Sequence, residues 1–244
     1  MIVRQAANVI ELLEYFAARR RPATLSEIAQ DLGWPRSSTF NLLGTLAERG
    51  WLYEPRARDG FYPTPRLLTL ARTIADAEPL PEPITALLRE LMEETGETTA
   101  IAASAGTAAV FIEVCESQQR IRYFAQVGLR MPIHLTSCGR AILSQYTAAE
   151  CASVLRRASF ERYGPTTPMS VAEVEAEIRR SMERGWFQNF SEFSQDLIGV
   201  SLPLPLEGRQ LALVVAGPVH RIQHRIPELA AQMRRGLDRA MAAI

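Results

Sequence analysis

Residues 24–52, TLSEIAQDLGWPRSSTFNLLGTLAERGWL, constrain the fold more than any other stretch of the chain. Thr24 and Glu27 have the spacing of a capping box, and Pro35 suits the first position of a helix. Leu25, Ile28, Ala29 and Leu32 make one apolar stripe at helical period, and Leu42, Leu43 and Leu46 make a second. Gly33 and Trp34 fill the turn between them. The pattern predicts two short helices around a tight turn, a helix-turn-helix. The outward side of the second helix begins with Arg36, Ser37, Ser38, Phe40 and Asn41. A guanidinium, short hydroxyls and an amide are the groups that reach phosphates and base edges in a major groove. A helix pair used only for protein interaction would show the same stripes. The polar start of the second helix and the strand-like residues after it favour DNA.

The flanking residues extend this reading. Val9, Ile10, Leu13, Phe16 and Ala17 predict a helix over 7–18, ended by Arg19, Arg20, Arg21 and Pro22. Gly50 stops the second motif helix, Trp51–Tyr53 reads as a strand, 55–60 as a turn, and Phe61 and Tyr62 as a return strand. Three helices and a hairpin in this order describe a winged helix. Arg56 and Arg58 fall at the wing tip, where arginines touch the DNA backbone or minor groove, or simply solubilise the loop. The predicted DNA-contacting set is Thr24, Arg36, Ser37, Ser38, Phe40, Asn41, Arg56 and Arg58.

Charge divides in the same direction. The 244 residues hold 27 cationic and 27 acidic side chains, which argues against a general polyanion binder. Residues 1–72 carry ten arginines against seven acids, a net of +3, which leaves the remainder at −3. A mildly basic head on an acidic body fits a DNA reader joined to a sensor or assembly unit. Every cation is arginine, a sign of GC-rich coding. Cys115, Cys138 and Cys151 suggest neither a disulfide framework nor a zinc site, and His134, His220 and His224 have no partners at metal-ligand spacing. His220 and His224 would share a helical face, but Pro227 makes a loop or helix start the better placement. No cofactor motif is present. The N-terminus lacks a signal-peptide core and no apolar run reaches membrane-spanning length, so a cytoplasmic protein is expected.

The second half alternates between element types. Leu67, Leu68, Leu70, Ala71 and Ile74 suggest a connecting helix, and Pro79–Pro83 marks a boundary. The expected organisation is a winged helix over 1–65, a linker helix over 66–80 and a second domain over 81–244. In that domain 84–95 reads as a helix capped by Gly96. Strands are expected at 98–103, 110–115, 121–126, 186–190, 198–204 and 210–216, and helices at 137–145, 148–157, 171–184 and from 227 onward. Strand pairs joined by short turns, with helices around them, indicate an α+β fold on an antiparallel sheet flanked by helices.

Four segments together resemble the IclR-type family of bacterial transcriptional regulators. The helix-turn-helix carries a proline before Arg-Ser-Ser and a Leu-Leu pair leading to Glu-Arg-Gly, and VRQAANVIELLEYF is similar to the family's first helix. GLRMPIHLTSCGRAILSQY resembles its segment of Pro, His, a Ser/Gly turn and Gly-Arg-Ala. GWFQNFSEFSQDLIGVSLPL and LALVVAGPVHRI resemble its late ligand-pocket strands. The resemblance implies a C-terminal effector domain similar to GAF domains, a homodimer or dimer of dimers, and double-stranded DNA with a palindromic operator as partner. Recognition helices on a two-fold axis require half-sites spaced by whole helical turns. Phe40 and Asn41 depart from the pattern, standing where His or Tyr and a basic residue are common, and Thr64-Pro65 replaces Leu-Gly after the wing. A thymine methyl and an adenine are the base features that Phe and Asn suit.

The same resemblance places an effector cavity between the loop 128–138 and the late strands, with Leu129, Met131, Ile133, Ser137, Cys138, Asn189, Ser191, Val200, Leu202, Val214 and Ala216 as its candidate lining. Ser137 and Cys138 would open a helix whose free amides favour a carboxylate, and Leu129, Met131 and Ile133 offer an adaptable apolar wall. Val214 and Ala216 stand where relatives that take small polar acids carry hydroxyls. They point to an aromatic or semi-apolar organic acid, or are ordinary core residues of a strand. A competing reading makes Cys138 a nucleophile with His134 as its base. It lacks a third, orienting group. A further alternative keeps the helix-turn-helix as a dimerisation module without DNA.

Overall fold

A computed structural model of the chain describes residues 3–56, 58–164, 166–206 and 208–244. The chain forms two compact units that part between Pro79 and Leu80.

The first unit runs α1 (Arg4–Arg19), α2 (Leu25–Asp31), α3 (Arg36–Glu48), β1 (Leu52–Tyr53), β2 (Tyr62–Pro63) and α4 (Arg66–Ala75). Its core gathers Leu12 and Phe16 of α1, Ile28 of α2, Leu43 of α3 and Leu52 of β1, with Leu25, Leu32, Leu42 and Leu46 packed around them. Gly33 makes the turn between α2 and α3 at φ +65°, a conformation that a side chain would strain. Pro35 is the N-cap of α3, one position earlier than expected; its extended backbone (ψ 133°) directs the chain into the helix without taking part in it. The hairpin pairs Leu52 with Pro63 and Tyr53 with Tyr62, and an added bridge joins Ala23 to Phe61. Thus the segment before α2 helps to hold the wing.

The capping box at α2 is present in full. Glu27 N–H donates to Thr24 Oγ1 at 3.3 Å, and Thr24 N–H donates to Glu27 Oε2 at 2.8 Å. Arg19 adds an ion pair to the same carboxylate. The bonds from Thr24, and then Arg19, lower the Glu27 pKa from 4.5 to about 2. A depressed carboxylate pKa stabilises the fold at neutral pH, and the contribution fades as pH falls from about 4.5 towards 2. Glu27→Gln should therefore weaken α2 by about 0.5 kcal/mol at pH 7, the half-exposed carboxylate being screened by solvent, with the deficit shrinking below pH 4.5. Hydrogen exchange of the α2 amides at both pH values measures it; a deficit that does not change with pH would count against the carboxylate's role.

The second unit is a six-stranded antiparallel sheet of order β5-β4-β3-β8-β7-β6. Its strands are β3 (Thr98–Ala105), β4 (Ala108–Cys115), β5 (Arg130–Pro132), β6 (Phe187–Phe190), β7 (Leu197–Leu206) and β8 (Arg209–Pro218). Helices α5 (Glu82–Thr95) and α10 (Ile226–Ala242) cover one face, where Leu87, Leu88, Leu91, Val200, Leu202, Val215 and Met233 are packed. On the other face lie α6 (Ser137–Leu143), α7 (Ala148–Arg157) and α8 (Val171–Arg184), over Ala100, Phe111, Met131, Val214 and Ala216. A one-turn helix, α9 (Val219–Ile222), follows β8, where a loop or helix start was expected for His220.

The segment 121–126, expected as a strand, is irregular. The outer edge of β4 is already occupied: β5 pairs with Ala108–Val110, and Gly128 and Leu129 bond to Phe111. The segment instead crosses the end of the sheet, where Thr98 Oγ1 donates to the Tyr123 carbonyl at 2.8 Å. Likewise α6 stops at Leu143, because the Gln145 amide turns back to the carbonyls of Ala141 and Leu211.

Candidate DNA-reading face and ligand cavity

Helical spacing divides α3 cleanly. Thr39 and Leu43, four apart, are buried, and the Thr39 hydroxyl donates to the Pro35 carbonyl at 3.1 Å. Arg36, Ser37, Ser38, Phe40 and Asn41 are exposed. Phe40 is 64 % exposed. Ser38 and Asn41 also border a groove of about 710 Å³ with Thr45 and with Arg4, Gln5 and Asn8 of α1. Those four polar residues were not in the predicted set. Thr45 lies on α3 itself, whereas Arg4, Gln5 and Asn8 belong to α1 and share the groove with α3.

Thr24 has a different occupation. Its hydroxyl and its amide are both bonded to Glu27, so its hydroxyl serves the cap. At the wing, Arg56 is exposed and 3.4 Å from Asp59, and Arg58 sits in the left-handed region at φ +71°.

In the second unit, strand alternation decides which predicted residues meet. Gly199 and Ser201 of β7 face α6, opposite Ala216 and Val214 of β8. Val200 and Leu202, predicted for the cavity, point to the other face and pack with α5 and α10. The correction follows from the two-residue period of a strand. Met131, Ser137, Cys138, Asn189, Val214 and Ala216 do come together, joined by Phe111, Tyr123, Thr136, Phe193, Leu197 and Gly199. They line a cavity of about 20 Å³, room for about one water molecule. Leu129 is 37 % exposed, Ser191 turns away to donate to the Gln195 carbonyl at 2.6 Å, and Ile133 is buried in the core behind α6.

The cavity has a polar floor and an aromatic wall. Ser137 and Ser201 share a hydrogen bond of 2.8 Å, and Asn189 Oδ1 accepts from Gly199 N–H at 3.1 Å. Thr136 caps α6 by accepting from Gly139 N–H at 3.2 Å, so that amide is already used. Phe111 and Tyr123 meet edge to face with centroids 6.3 Å apart, and burial pushes the Tyr123 phenol up to about 12. Beneath the floor, Arg140 is fully buried. Its guanidinium reaches both Glu192 oxygens at 2.7 and 3.2 Å and the Gln188 carbonyl at 2.7 Å. That pair ties down the β6–β7 connection that carries Phe193.

The geometry does not join Cys138 to His134. The Cys138 thiol donates to Thr136 Oγ1 at 3.4 Å, and burial raises its pKa, away from thiolate chemistry. The His134 ring packs tilted against Phe160 with centroids 4.5 Å apart, and neither of its nitrogens has a hydrogen-bond partner among the described residues. Burial lowers its pKa, favouring the neutral ring. No group of three or more His, Cys, Asp or Glu able to hold a metal occurs among the described residues, and no described helix is long and apolar enough to cross a membrane.

A winged helix whose second motif helix has a polar, exposed face, followed by an α+β unit with a small cavity, is the architecture of a DNA-binding transcriptional regulator with an effector domain. Comparisons with known proteins give the family. The profile described as "Bacterial transcriptional regulator IclR C-terminal" matches residues 73–238, and that of the "IclR helix-turn-helix domain" matches residues 5–56. The chain belongs to the IclR family.

The acetate operon repressor of Salmonella typhimurium is 27 % identical over 236 residues, covering 95 % of this chain and 86 % of that protein. The transcriptional repressor IclR of Escherichia coli is 25 % identical over the same shares. Among solved structures, Thermotoga maritima IclR superposes with a TM-score of 0.77 at 18 % identity, covering 97 % of both chains. An IclR homologue from Microbacterium hydrocarbonoxydans, complexed with 4-hydroxybenzoate, gives 0.72 at 20 % identity, covering 98 % of this chain and all of that one (100 %).

Proposed function

We propose that this regulator controls a catabolic operon in response to a small, semi-apolar organic acid, aromatic acids being the best fit. The observation that carries the reading is the make-up of the cavity. Phe111, Tyr123, Phe193, Val214 and Ala216 offer flat apolar contact beside the hydroxyl of Ser137 and the amide of Asn189. The Microbacterium homologue, bound to 4-hydroxybenzoate, supports an acid of this kind. DNA is read by Arg36, Ser37, Ser38, Phe40 and Asn41, with Arg56 and Arg58 on the backbone beside the wing. A homodimer, or a dimer of dimers, sets two such helices on a palindromic operator. The exposed Leu68, Leu70 and Ile74 of α4, a helix without a buried residue, support self-association.

Calorimetry with benzoate, 4-hydroxybenzoate, glyoxylate and pyruvate tests the effector class. Aromatic acids should bind and the two small 2-oxo acids should not; the reverse order overturns the assignment. Mobility shifts on DNA from upstream of the gene, over a salt series, test the DNA reading. Asn41→Ala should relax the preference at one base position by about 1–3 kcal/mol and leave the salt slope unchanged. Arg36→Ala should weaken all sequences alike and reduce the slope by about 1. Failure to form a specific complex at any salt would favour a protein-interaction role instead.

A further inference from the structure

The inner cavity has an outer neighbour. On the surface, Ile121, Arg122 and Phe124 face Ser194, Asp196, Pro218, Val219, His220 and Gln223 across a groove of about 600 Å³. Tyr123 and Leu197 line both spaces. Between them these two side chains are the shared wall. Neighbouring residues alternate across it: Tyr123 sits between the outward Arg122 and Phe124, while Phe193 lines the cavity and Ser194 the groove.

We propose that the outer groove is the entry vestibule of the effector cavity, and that the side chains of Tyr123 and Leu197 are the gate. The proposal takes the inner cavity as the effector site, as above, and names how a small planar acid reaches it. A cavity of about 20 Å³ cannot hold such a molecule unless its lining moves apart. The backbone on both sides of the wall is held in place. Thr98 Oγ1 fixes the Tyr123 carbonyl at 2.8 Å. Leu197 is bonded through its amide to the Ser194 carbonyl and through its carbonyl to the Ser191 amide, and Val219 N–H bonds to the Asp196 carbonyl. Glu192 is held by Arg140. With the chain pinned, the side chains are what can move. Tyr123 is tied in place by its edge contact with Phe111 and by a 3.5 Å approach of its hydroxyl to Met131 Sδ, both weak. One rotation about χ1 of Tyr123, with Leu197 shifting aside, merges cavity and groove.

Cys138, which lines the cavity, reports the opening without any effector. In full-length protein with Cys115→Ser and Cys151→Ser, alkylation of Cys138 by neutral iodoacetamide is followed by mass spectrometry. Tyr123→Ala and Leu197→Ala should each raise the rate at least about tenfold. His220→Trp, which narrows the groove from an exposed position, should lower it about threefold and tests the route in a fully folded variant. Low urea should leave the rates unchanged, since side-chain rotation exposes little surface. Unchanged rates in all three variants overturn the proposal. So does an equal rise in Met131→Ala, which opens the cavity towards the separate cleft of Arg130 and Tyr163. A rise in Glu192→Gln without one in the gate variants would replace the gate with movement of the whole loop. Because iodoacetamide is no acid, these results stand apart from whether calorimetry finds an acid effector.

Discussion

Glu192→Ala should destabilise the second unit by about 3–5 kcal/mol, more than Arg140→Met does. The two partners of this ion pair are not buried alike: the side chain of Arg140 is 1 % exposed and that of Glu192 14 %. Removing the carboxylate leaves a guanidinium that cannot shed its proton with the Gln188 carbonyl as its remaining hydrogen-bond partner and the Glu177 carboxylate as the next negative charge. The Arg140 Nε already lacks a hydrogen-bond partner. Removing the arginine instead frees a carboxylate near the surface, which the connection can turn towards water. Methionine also refills most of the vacated volume. The double variant Arg140→Met with Glu192→Ala should be milder than Glu192→Ala alone, since an uncharged interior replaces an unpaired charge. Hydrogen exchange of the β6 and β7 amides against urea gives the three values. An Arg140→Met penalty equal to or above that of Glu192→Ala would sink the argument. The functional consequence is local: Phe193 follows Glu192, so loosening the pair should also weaken binding of an aromatic acid.

Neither that pair nor the cavity's lining could be read in full from residue patterns, and the reasons are physical. Helices α7 and α8 were legible to the residue, since Thr147 and Ser170 cap them and Gly185 ends the second. The two motif helices were legible because periodicity and turn chemistry are local. Strand β7 is buried on both faces, so its apolar run shows a two-residue period but not its phase. Val200 and Leu202 therefore looked as suitable for the cavity as their neighbours. The usable signal was the smaller pair, Gly199 and Ser201, since small residues leave space. The run 121–126 alternates like a strand, yet pairing depends on a free edge far away in sequence, and β5 had taken it. Arg140 and Glu192 lie 52 residues apart, and no local pattern links them.

Gly139→Ala should cost about 3 kcal/mol and abolish effector response even where the protein remains folded. The glycine lies inside α6, where alanine ordinarily stabilises a helix by up to about 1 kcal/mol. Here a Cβ would stand 1.9 Å from the Ile133 carbonyl oxygen, 2.6 Å from its carbon and 2.7 Å from its Cα. All three atoms are backbone, so no side chain can rotate away. Either α6 lifts or the 133–135 turn moves, and both choices disturb the cavity. Lifting α6 pulls Ser137 from Ser201 and Cys138 from the wall, while moving the turn shifts Thr136, the cap of α6 and a residue of the cavity lining. Gly185→Ala is the informative control. That glycine is left-handed at φ +90° but has no atom within 4 Å of the added carbon, so its loss should be only about 1 kcal/mol and leave acid binding intact. Urea denaturation with calorimetry on both variants separates the cases. Binding retained in Gly139→Ala would show that the close seat of α6 on Ile133 serves stability alone, whereas binding lost there and kept in Gly185→Ala ties the position of α6 to the effector site.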